Sequence, residues 1–265
     1  MEVTNLIEFN SIGFTILGVP AYIFCSLTAF VISICLFMAM LSKKGYPIDP
    51  HLKCLAISLG GLILSAKFFG CLSGIYGAVG LGSSITLETV ENTGIVFYGG
   101  LIGLLTTYYL TVKYAHDASL QTLDIVAVMV PLFHSFSRIG CFLGGCCYGK
   151  IFNGPLSIVY TTKAYGSIST ENRFPVQIVE SLFNLSVFFY LFKTLQCDEW
   201  KEKHILSQYL LIYSLGRFIL EFFRGDTYRG MIGGISFSQV VSISIWFYLA
   251  VVQKRKMERK VESMK

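Results

Sequence analysis

The stretch HSFSRIGCFLGGCCYG, residues 134–149, places an arginine, a histidine and three cysteines at the end of a long apolar run. An arginine at membrane depth costs a few kcal/mol on insertion scales, so a helix that carries one there is expected to turn it away from lipid. The stretch therefore predicts a spanning helix with a polar site on its protein-facing side.

The composition of the whole chain indicates that this helix lies in a membrane. Hydrophobic residues make up 54% of the 265 residues and charged residues only 14%, and the mean hydropathy is +0.62. Soluble domains carry about 25% charged residues, and a spanning helix needs about 20 mainly apolar residues. We therefore expect an all-α polytopic membrane protein, with residues 1–265 forming a single membrane domain of about seven transmembrane helices.

Seven apolar runs and the loops between them predict the topology. No basic segment precedes the first run, so we expect no cleaved signal peptide. Lysine and arginine concentrate in alternate loops and in the tail 253–265, which predicts N-out, C-in with a basic cytoplasmic tail. This topology accounts for the net charge of +5, so no nucleic acid is expected as a partner. The predicted spans are 14–41, 51–77, 94–115, 123–145, 175–197, 205–223 and 231–252.

Residues 148–174 are the least hydrophobic long segment between the termini. Because this segment follows the fourth span, which runs outward, it predicts a small extracytoplasmic head, or cap, between helices 4 and 5. The β-branched run at 156–162 predicts short strands within this head.

Charged residues inside or at the rim of the spans mark a candidate site. Lys67, Arg138, Arg217, Glu221 and Arg224 are costly in lipid and are expected to share a polar cavity. Arg217, Glu221 and Arg224 follow helical spacing, so a purely structural ion pair is an alternative. Four bases against one acid leave about three positive charges, and guanidinium groups suit phosphate. The abundant anion in a bilayer is a phospholipid headgroup, so membrane lipids are the expected ligands.

His134 lies four residues before Arg138 and therefore on the same helical face. Two interpretations stay open for this histidine. It is either an imidazole satisfied by a neighbouring carbonyl or by Ser135, or a general base that acts near neutral pH.

Cys141, Cys146 and Cys147 follow a C-x4-C-C spacing, which lacks the paired CxxC motifs of zinc and iron–sulfur sites. We therefore expect no metal and no cofactor. A disulfide from Cys141 to one of the other two stays open if the outer face is oxidising. Four further cysteines lie inside apolar spans and are expected to pack as small hydrophobic residues.

Four segments together resemble the bacterial prolipoprotein diacylglyceryl transferase family over nearly the whole chain. They are FYGGLIG at 97–103, RIGCFLGGCCYG at 138–149, RFPVQIVE at 173–180 and YSLGRFILEFFRGD at 213–226, and GGISFSQV at 233–240 looks like a fifth. The resemblance implies a seven-helix enzyme of the bacterial cytoplasmic (inner) membrane with a periplasmic head. Such enzymes transfer the diacylglyceryl group of phosphatidylglycerol to the lipobox cysteine thiol of a preprolipoprotein and release glycerol phosphate.

The resemblance also implies roles for individual residues. Arg138 and Arg217 match family arginines and are the expected phosphate ligands, with Arg224 and Lys67 as further cations. Glu221 matches the family's acid on the sixth helix and would orient an arginine.

Three glycines belong to the matching motifs. Gly99 and Gly100 of FYGGLIG permit close helix contact or local unwinding. Gly149 matches the glycine that closes the signature, where a tight turn is expected.

The chain departs from the family pattern at several polar positions. Cys141 and Cys146 stand at the Asn and Glu of the family's R-x-G-N-F-x-N-G-E run, and Tyr98 stands at the His of H-G-G-L-I-G. Phe24 lies near an expected tyrosine, and Lys67 replaces an arginine. The family mechanism therefore cannot be transferred to this chain unchanged.

Two accounts of these departures stay open. In the favoured one, diacylglyceryl transfer is retained, His134 acts as the base, and Tyr98 hydrogen-bonds the headgroup. In the other, Cys141 beside Arg138 is a nucleophile, and the chain is a paralogous lipid or acyl transferase with another acceptor. An anion or lipid transporter is a third class, which the outer placement of the charges disfavours.

Overall fold

A computed structural model of the chain describes residues 8–10, 14–82, 84–86, 94, 96–164, 167–225 and 231–262. The described residues are mainly helical, as the composition predicts. Short 3₁₀ turns, Trp200–Glu202 and Glu221–Phe223, lie just before and just after the sixth helix. The α-helices in these ranges are α1 Ala21–Lys43, α2 Ile48–Gly80, α3 Phe97–Tyr114, α4 Thr122–Leu143, α5 Val176–Gln196, α6 Ile205–Leu220 and α7 Phe237–Glu262.

Among the described residues, five helices are long and apolar enough to cross a membrane, namely α1, α2, α4, α5 and α6 together with its following turn. The 33 residues of α2 extend about 50 Å at 1.5 Å per residue, which exceeds the roughly 30 Å of hydrocarbon. Large apolar side chains such as Leu64 and Phe247 are exposed on the outside of the bundle. The chain is therefore a polytopic helical membrane protein.

Proline precedes three of the helices. Pro20, Pro47 and Pro175 occupy the N-cap positions of α1, α2 and α5. A proline costs little at a helix start, because the first turn leaves its N–H groups without intrahelical partners. The helix α5 accordingly begins directly after Pro175, close to the start predicted for the fifth span.

Two hairpins replace the starts of the first and last predicted spans. Both segments are apolar, so hydropathy alone merged them with the helices that follow. Gly18, Gly233 and Gly234 have positive φ angles in the two turns, and two-residue hairpins favour residues that adopt such angles. The hairpin strands are β2 Thr15–Ile16 with β3 Val19–Pro20, and β6 Met231–Ile232 with β7 Ile235–Ser236.

A three-stranded sheet combines one strand that precedes α1 with two strands that lie between α4 and α5 in the chain order. Its strands are β1 Glu8–Asn10, β4 Ile158–Ala164 and β5 Ser167–Arg173, with β4 antiparallel to β5 and parallel to β1. The strand expected around 156–162 is β4. Tyr160 on β4 donates a hydrogen bond to the Phe142 carbonyl, and the two rings stack at 5.3 Å. The sheet is thereby joined to the end of α4.

The most buried of the five candidate spans is α4. Of its most apolar 18-residue window, 67% is buried, against 22% for α1 and 17% for α2. It packs against α1, α5 and α6. Ser135 on α4 and Ser181 on α5 each donate a hydroxyl to the other's backbone carbonyl at 2.9 Å. This central position buries His134, Ser135 and Arg138 of α4 against other helices.

Candidate active site

A buried cluster of charged side chains is centred on Glu180, in the second turn of α5. The carboxylate is 1% exposed, so its charge depends on the groups around it. Its partners converge from α4, from α6 and from the segment after α6. They are Arg138 Nε at 3.1 Å, Arg217 Nη1 at 3.6 Å, Arg224 Nη1 at 3.8 Å and His134 Nε2 at 3.6 Å.

Glu180 is a member of the cluster that is absent from the residues predicted from the sequence. It is an acid inside an apolar span, which is the same signal that selected Arg138 and Arg217. It also lies at the end of the RFPVQIVE segment. The charge count of the predicted cavity was therefore wrong by one acid.

The cluster carries one net positive charge. Glu221 pairs with Arg217 Nη2 at 2.5 Å, so two carboxylates face three arginines. Lys67 is not part of this charged cluster. It is exposed on α2 and does not line the cavity described below. Its predicted place in the shared cavity is therefore wrong, and the expected excess of about three positive charges is reduced to one.

His134 is held by contacts on its face and on its edge. Its ring stacks on Phe97, with 3.7 Å between ring centroids and 15° between planes. Its Nε2 accepts a hydrogen bond of 3.0 Å from Arg138 Nε. An imidazole that accepts at Nε2 is neutral and carries its proton on Nδ1. Nδ1 has no hydrogen-bond partner among the described residues.

Tyr98 is buried in the second position of α3. Its hydroxyl forms a 2.6 Å hydrogen bond with Ser242 Oγ on α7, and its ring meets Tyr213 edge-on at 5.5 Å. The side chain therefore links α3, α6 and α7 while it also lines the cavity described below.

Cys141, Cys146 and Cys147 come together although their spacing matches no usual metal motif. Their sulfur atoms all lie within 4.8 Å of one another, and Arg138 Nη1 lies 3.8 Å from the Cys141 sulfur. Hydrogen bonds with the Cys141 and Cys146 thiols hold the pKa of Cys147 well below its ordinary value, and Arg224 and Arg138 lower it further. The turn after α4 thus builds a thiol cluster beside the arginines.

Two of the three predicted glycines, Gly99 and Gly149, lie where a side chain would clash with a neighbouring segment. A Cβ added to Gly99 would lie 2.5 Å from Phe69 Cβ on α2, and one added to Gly149 would lie 2.1 Å from the Phe174 carbonyl oxygen. Gly100 is less crowded, with the nearest atom 3.5 Å from an added Cβ. Gly149 also forms an isolated β-bridge with Arg224, which joins that arginine's segment to the end of the signature.

A cavity of about 520 Å³ opens beside the cluster, within the range of small-molecule sites. Its walls along α1 to α4 are apolar, and its polar end contains the guanidinium groups of Arg138 and Arg217. It can therefore accept a molecule with an apolar body and one anionic end. Of the predicted site residues, it is lined by His134, Tyr98, Cys141, Arg138, Arg217 and Gly100, and not by Glu221, Arg224, Lys67, Gly99 or Gly149.

Comparison with known proteins gives a consistent result. A family model described as prolipoprotein diacylglyceryl transferase matches residues 11–253. The chain is 34% identical over 236 residues to a phosphatidylglycerol–prolipoprotein diacylglyceryl transferase of Clostridium tetani, which covers 89% of this chain and 91% of the relative. It is 30% identical over 211 residues to transferase 2 of Clostridium perfringens, with 79% and 80% covered. A protein of the same name from Acinetobacter baumannii is 28% identical over 186 residues.

Proposed function

The chain belongs to the prolipoprotein diacylglyceryl transferase family, and from this premise we propose that it transfers the diacylglyceryl group of phosphatidylglycerol to a cysteine thiol of a prolipoprotein. Glycerol phosphate is the second product. The donor lipid and the lipobox cysteine of the acceptor are its proposed partners in lipoprotein biosynthesis.

The observation that carries this proposal is the pairing of one net positive charge with an apolar cavity. The phosphodiester of phosphatidylglycerol carries a single negative charge, which the three arginines and two carboxylates balance. The walls of the cavity are mostly apolar, which suits the acyl-chain end of such a lipid. Arg138 and Arg217 line the cavity, and guanidinium groups bind phosphate oxygens in a bidentate manner.

The chemistry follows from that binding mode. The acceptor thiolate attacks the glyceryl CH₂ group that bears the phosphate, the S–C bond forms, and the C–O bond breaks with its electron pair on the phosphate oxygen. The arginines stabilise the negative charge that develops on this leaving group. Glu180 and Glu221 hold the arginines in place, since each carboxylate lies within 4 Å of Arg217.

His134 is the proposed proton acceptor for the thiol. Its Nε2 accepts a hydrogen bond from Arg138 Nε. The base function therefore requires this arginine to turn toward the bound phosphate. Once the bond is released, the Nε2 lone pair is free to accept a proton. Lipid binding and activation of the base are then coupled.

A second candidate function rests on Cys141. This residue lines the cavity, and its sulfur lies 3.8 Å from Arg138 Nη1. In this alternative the thiolate attacks the lipid itself, and the enzyme is a paralogous transferase with another acceptor.

We further propose seven spans in the bacterial cytoplasmic membrane, with α3 and α7 completing the bundle. In this topology the N-terminus and the head 148–174 lie outside, and the basic tail 253–265 lies in the cytoplasm. The alternation of basic and acidic loops supports the orientation. Accessibility of single introduced cysteines to a membrane-impermeant reagent in intact cells tests it.

The test of the reaction uses purified protein, phosphatidylglycerol and a lipobox peptide. Glycerol phosphate release and the peptide mass are measured. Arg138→Ala and Arg217→Ala should abolish product, and His134→Gln should lower the rate. Lys193→Ala, an exposed change on α5, is the matched control.

Three outcomes contradict parts of the proposal. Failure of the unaltered chain to make product, together with passage of anionic solutes into proteoliposomes, would replace the transferase with a transporter. A fully active His134→Gln removes the proposed base. A lipid-modified Cys141, with activity lost in Cys141→Ala, favours the second candidate.

A further inference from the structure

The thiol cluster of Cys141, Cys146 and Cys147 has the geometry of a metal site. Two sulfurs that lie 2.3 Å from one tetrahedral zinc ion are about 3.8 Å apart. The three sulfurs here all lie within 4.8 Å of one another, so side-chain movements of about 1 Å suffice to bring them to one ion. Among the described residues, no other group of three His, Cys, Asp or Glu side chains has this arrangement.

The backbone around the cluster holds this arrangement in place. Cys141 lies in the last turn of α4, and positive φ angles at Gly145 and Cys147 fold the following turn back onto it. The Cys146 amide donates to the Cys141 carbonyl at 3.1 Å, and Gln177 Nε2 donates to the Cys146 carbonyl at 2.9 Å. A left-handed conformation is uncommon for a cysteine, and such outliers occur often at functional sites.

The position of the cluster leaves room for a fourth ligand. Cys141 and Cys147 line the cavity, whereas Cys146 is exposed. A metal bound here would therefore lie between the lipid cavity and the outside of the bundle. Catalytic zinc sites keep three protein ligands and one open position, whereas structural sites fill all four positions.

We propose that Cys141, Cys146 and Cys147 bind one zinc ion, whose fourth position takes the acceptor thiol during transfer. The second part rests on the proposed function. Thiolate ligands select soft ions such as zinc over magnesium and calcium.

The reaction balances without any further reagent. Coordination to zinc deprotonates a thiol, and the displaced proton passes to His134 or to water. The zinc-bound thiolate then forms the S–C bond as the C–O bond breaks, and the electron pair leaves on the phosphate of glycerol phosphate. Zinc and three thiolates together carry one negative charge, and Arg138 Nη1, 3.8 Å from the Cys141 sulfur, lies beside it as the outer partner.

The first experiment measures metal without turnover. Protein purified under reducing conditions without chelator should contain one zinc per chain. Cys141→Ser, Cys146→Ser and Cys147→Ser should each lower zinc affinity at least tenfold. Cys35→Ser, an exposed cysteine of α1 away from the cluster, should retain the metal. Cobalt exchanged into the unaltered chain should give thiolate charge-transfer absorption and the visible bands of a tetrahedral ion, so the test does not depend on the folding of any variant.

The second experiment tests the open position. A lipobox peptide added to the cobalt-loaded protein without phosphatidylglycerol should change the visible bands, and the same peptide with serine in place of its cysteine should leave them unchanged. A chain that retains no zinc and gives no cobalt bands overturns the metal site. A disulfide among the three cysteines in protein alkylated at the moment of lysis also overturns it. Cobalt bands that do not change when the peptide thiol is added overturn the proposal that the open position binds the acceptor.

The failure of this inference differs from the failure of the proposed function. Product formation that is unaffected by zinc removal or by Cys141→Ser overturns the catalytic metal and leaves the transferase intact. A protein that binds cobalt and responds to the peptide thiol, but forms no product from phosphatidylglycerol, supports the metal site and contradicts the choice of donor lipid.

Discussion

Replacement of Glu180 by glutamine tests whether this buried carboxylate holds the site together. The side chain is 1% exposed and lies within 4 Å of three guanidinium groups and of His134. Glutamine keeps the volume and removes the charge, so Glu221 remains as the counter-charge to three arginines and the net charge of the cluster rises from one to two. Loss of one partner from a buried ion pair costs about 3–5 kcal/mol.

We expect the lower end of that range. The glutamine carbonyl oxygen can stay near Arg138 Nε, which lies 3.1 Å from Glu180 Oε2, so the free energy of unfolding should fall by about 3 kcal/mol. This change corresponds to about a hundredfold in the folding equilibrium. Trp246 provides the signal, because its Nε1 donates to Ser214 Oγ at 2.8 Å across α6 and α7. Denaturation in mixed micelles followed by tryptophan fluorescence measures the difference.

The matched control is Glu199→Gln. Glu199 is exposed and lies 3.9 Å from Lys203, and surface ion pairs contribute little to stability. If Glu180→Gln unfolds at the same denaturant fraction as this control, the carboxylate does not stabilise the arginines, and the reasoning fails.

Glu180→Gln also has an expected kinetic effect. The additional positive charge should keep the KM for phosphatidylglycerol equal or lower it, because phosphate attraction increases. Misplacement of Arg138 should reduce kcat by about a hundredfold, since an error of 1 Å in a reacting geometry can cost that much. Glu180→Asp keeps the charge and should fall between the two. An unchanged kcat in a destabilised Glu180→Gln would make the role purely structural.

Three further substitutions have distinct expected outcomes. Arg217→Lys should lower kcat about tenfold or more at normal expression, because an ammonium group cannot bridge both carboxylates as a planar guanidinium does; steady-state kinetics check this. Gly149→Ala should destabilise the protein by about 1–3 kcal/mol, because its Cβ would lie 2.1 Å from the Phe174 carbonyl oxygen; a thermal melt checks this. Tyr98→Phe should lose about 1 kcal/mol of stability with its bond to Ser242, and should change the KM for lipid less than threefold.

The helical bundle could be predicted from hydropathy, whereas the ends of its first and last helices could not. Long apolar runs impose helix formation because unsatisfied backbone groups are costly in lipid. The hairpins before α1 and α7 contain residues that are equally apolar, so their composition carries no signal. Their turns depend on positive φ angles at Gly18, Gly233 and Gly234. Glycine adopts positive and negative φ angles about equally well, so its presence does not predict which one occurs.

The residues of the candidate site could be predicted where the cost of a charge in lipid alone decides that a side chain faces the protein interior. Arg138, Arg217 and Arg224 are too costly to leave in lipid, and they converge as expected. Glu180 is also a charged residue inside an apolar span, so the same argument could have predicted it. Lys67 differs, because a lysine on a long helix can extend its amine toward water while its stem covers apolar surface. Which face of α2 looks outward depends on its packing against α3, which hydropathy does not report.

The cysteine cluster shows a proximity that spacing along the chain does not reveal. A C-x4-C-C pattern argues against a metal only if the turn between the cysteines is extended or regular. Gly145 and Cys147 instead adopt left-handed angles, and the turn places all three sulfurs on one side. In the proposed function the arginines bind the donor phosphate, and the cysteines lie beside them at the end of α4. If a thiol must lose its proton beside a histidine whose Nε2 already accepts a hydrogen bond, a soft metal on three thiolates is the activating group that these residues can supply.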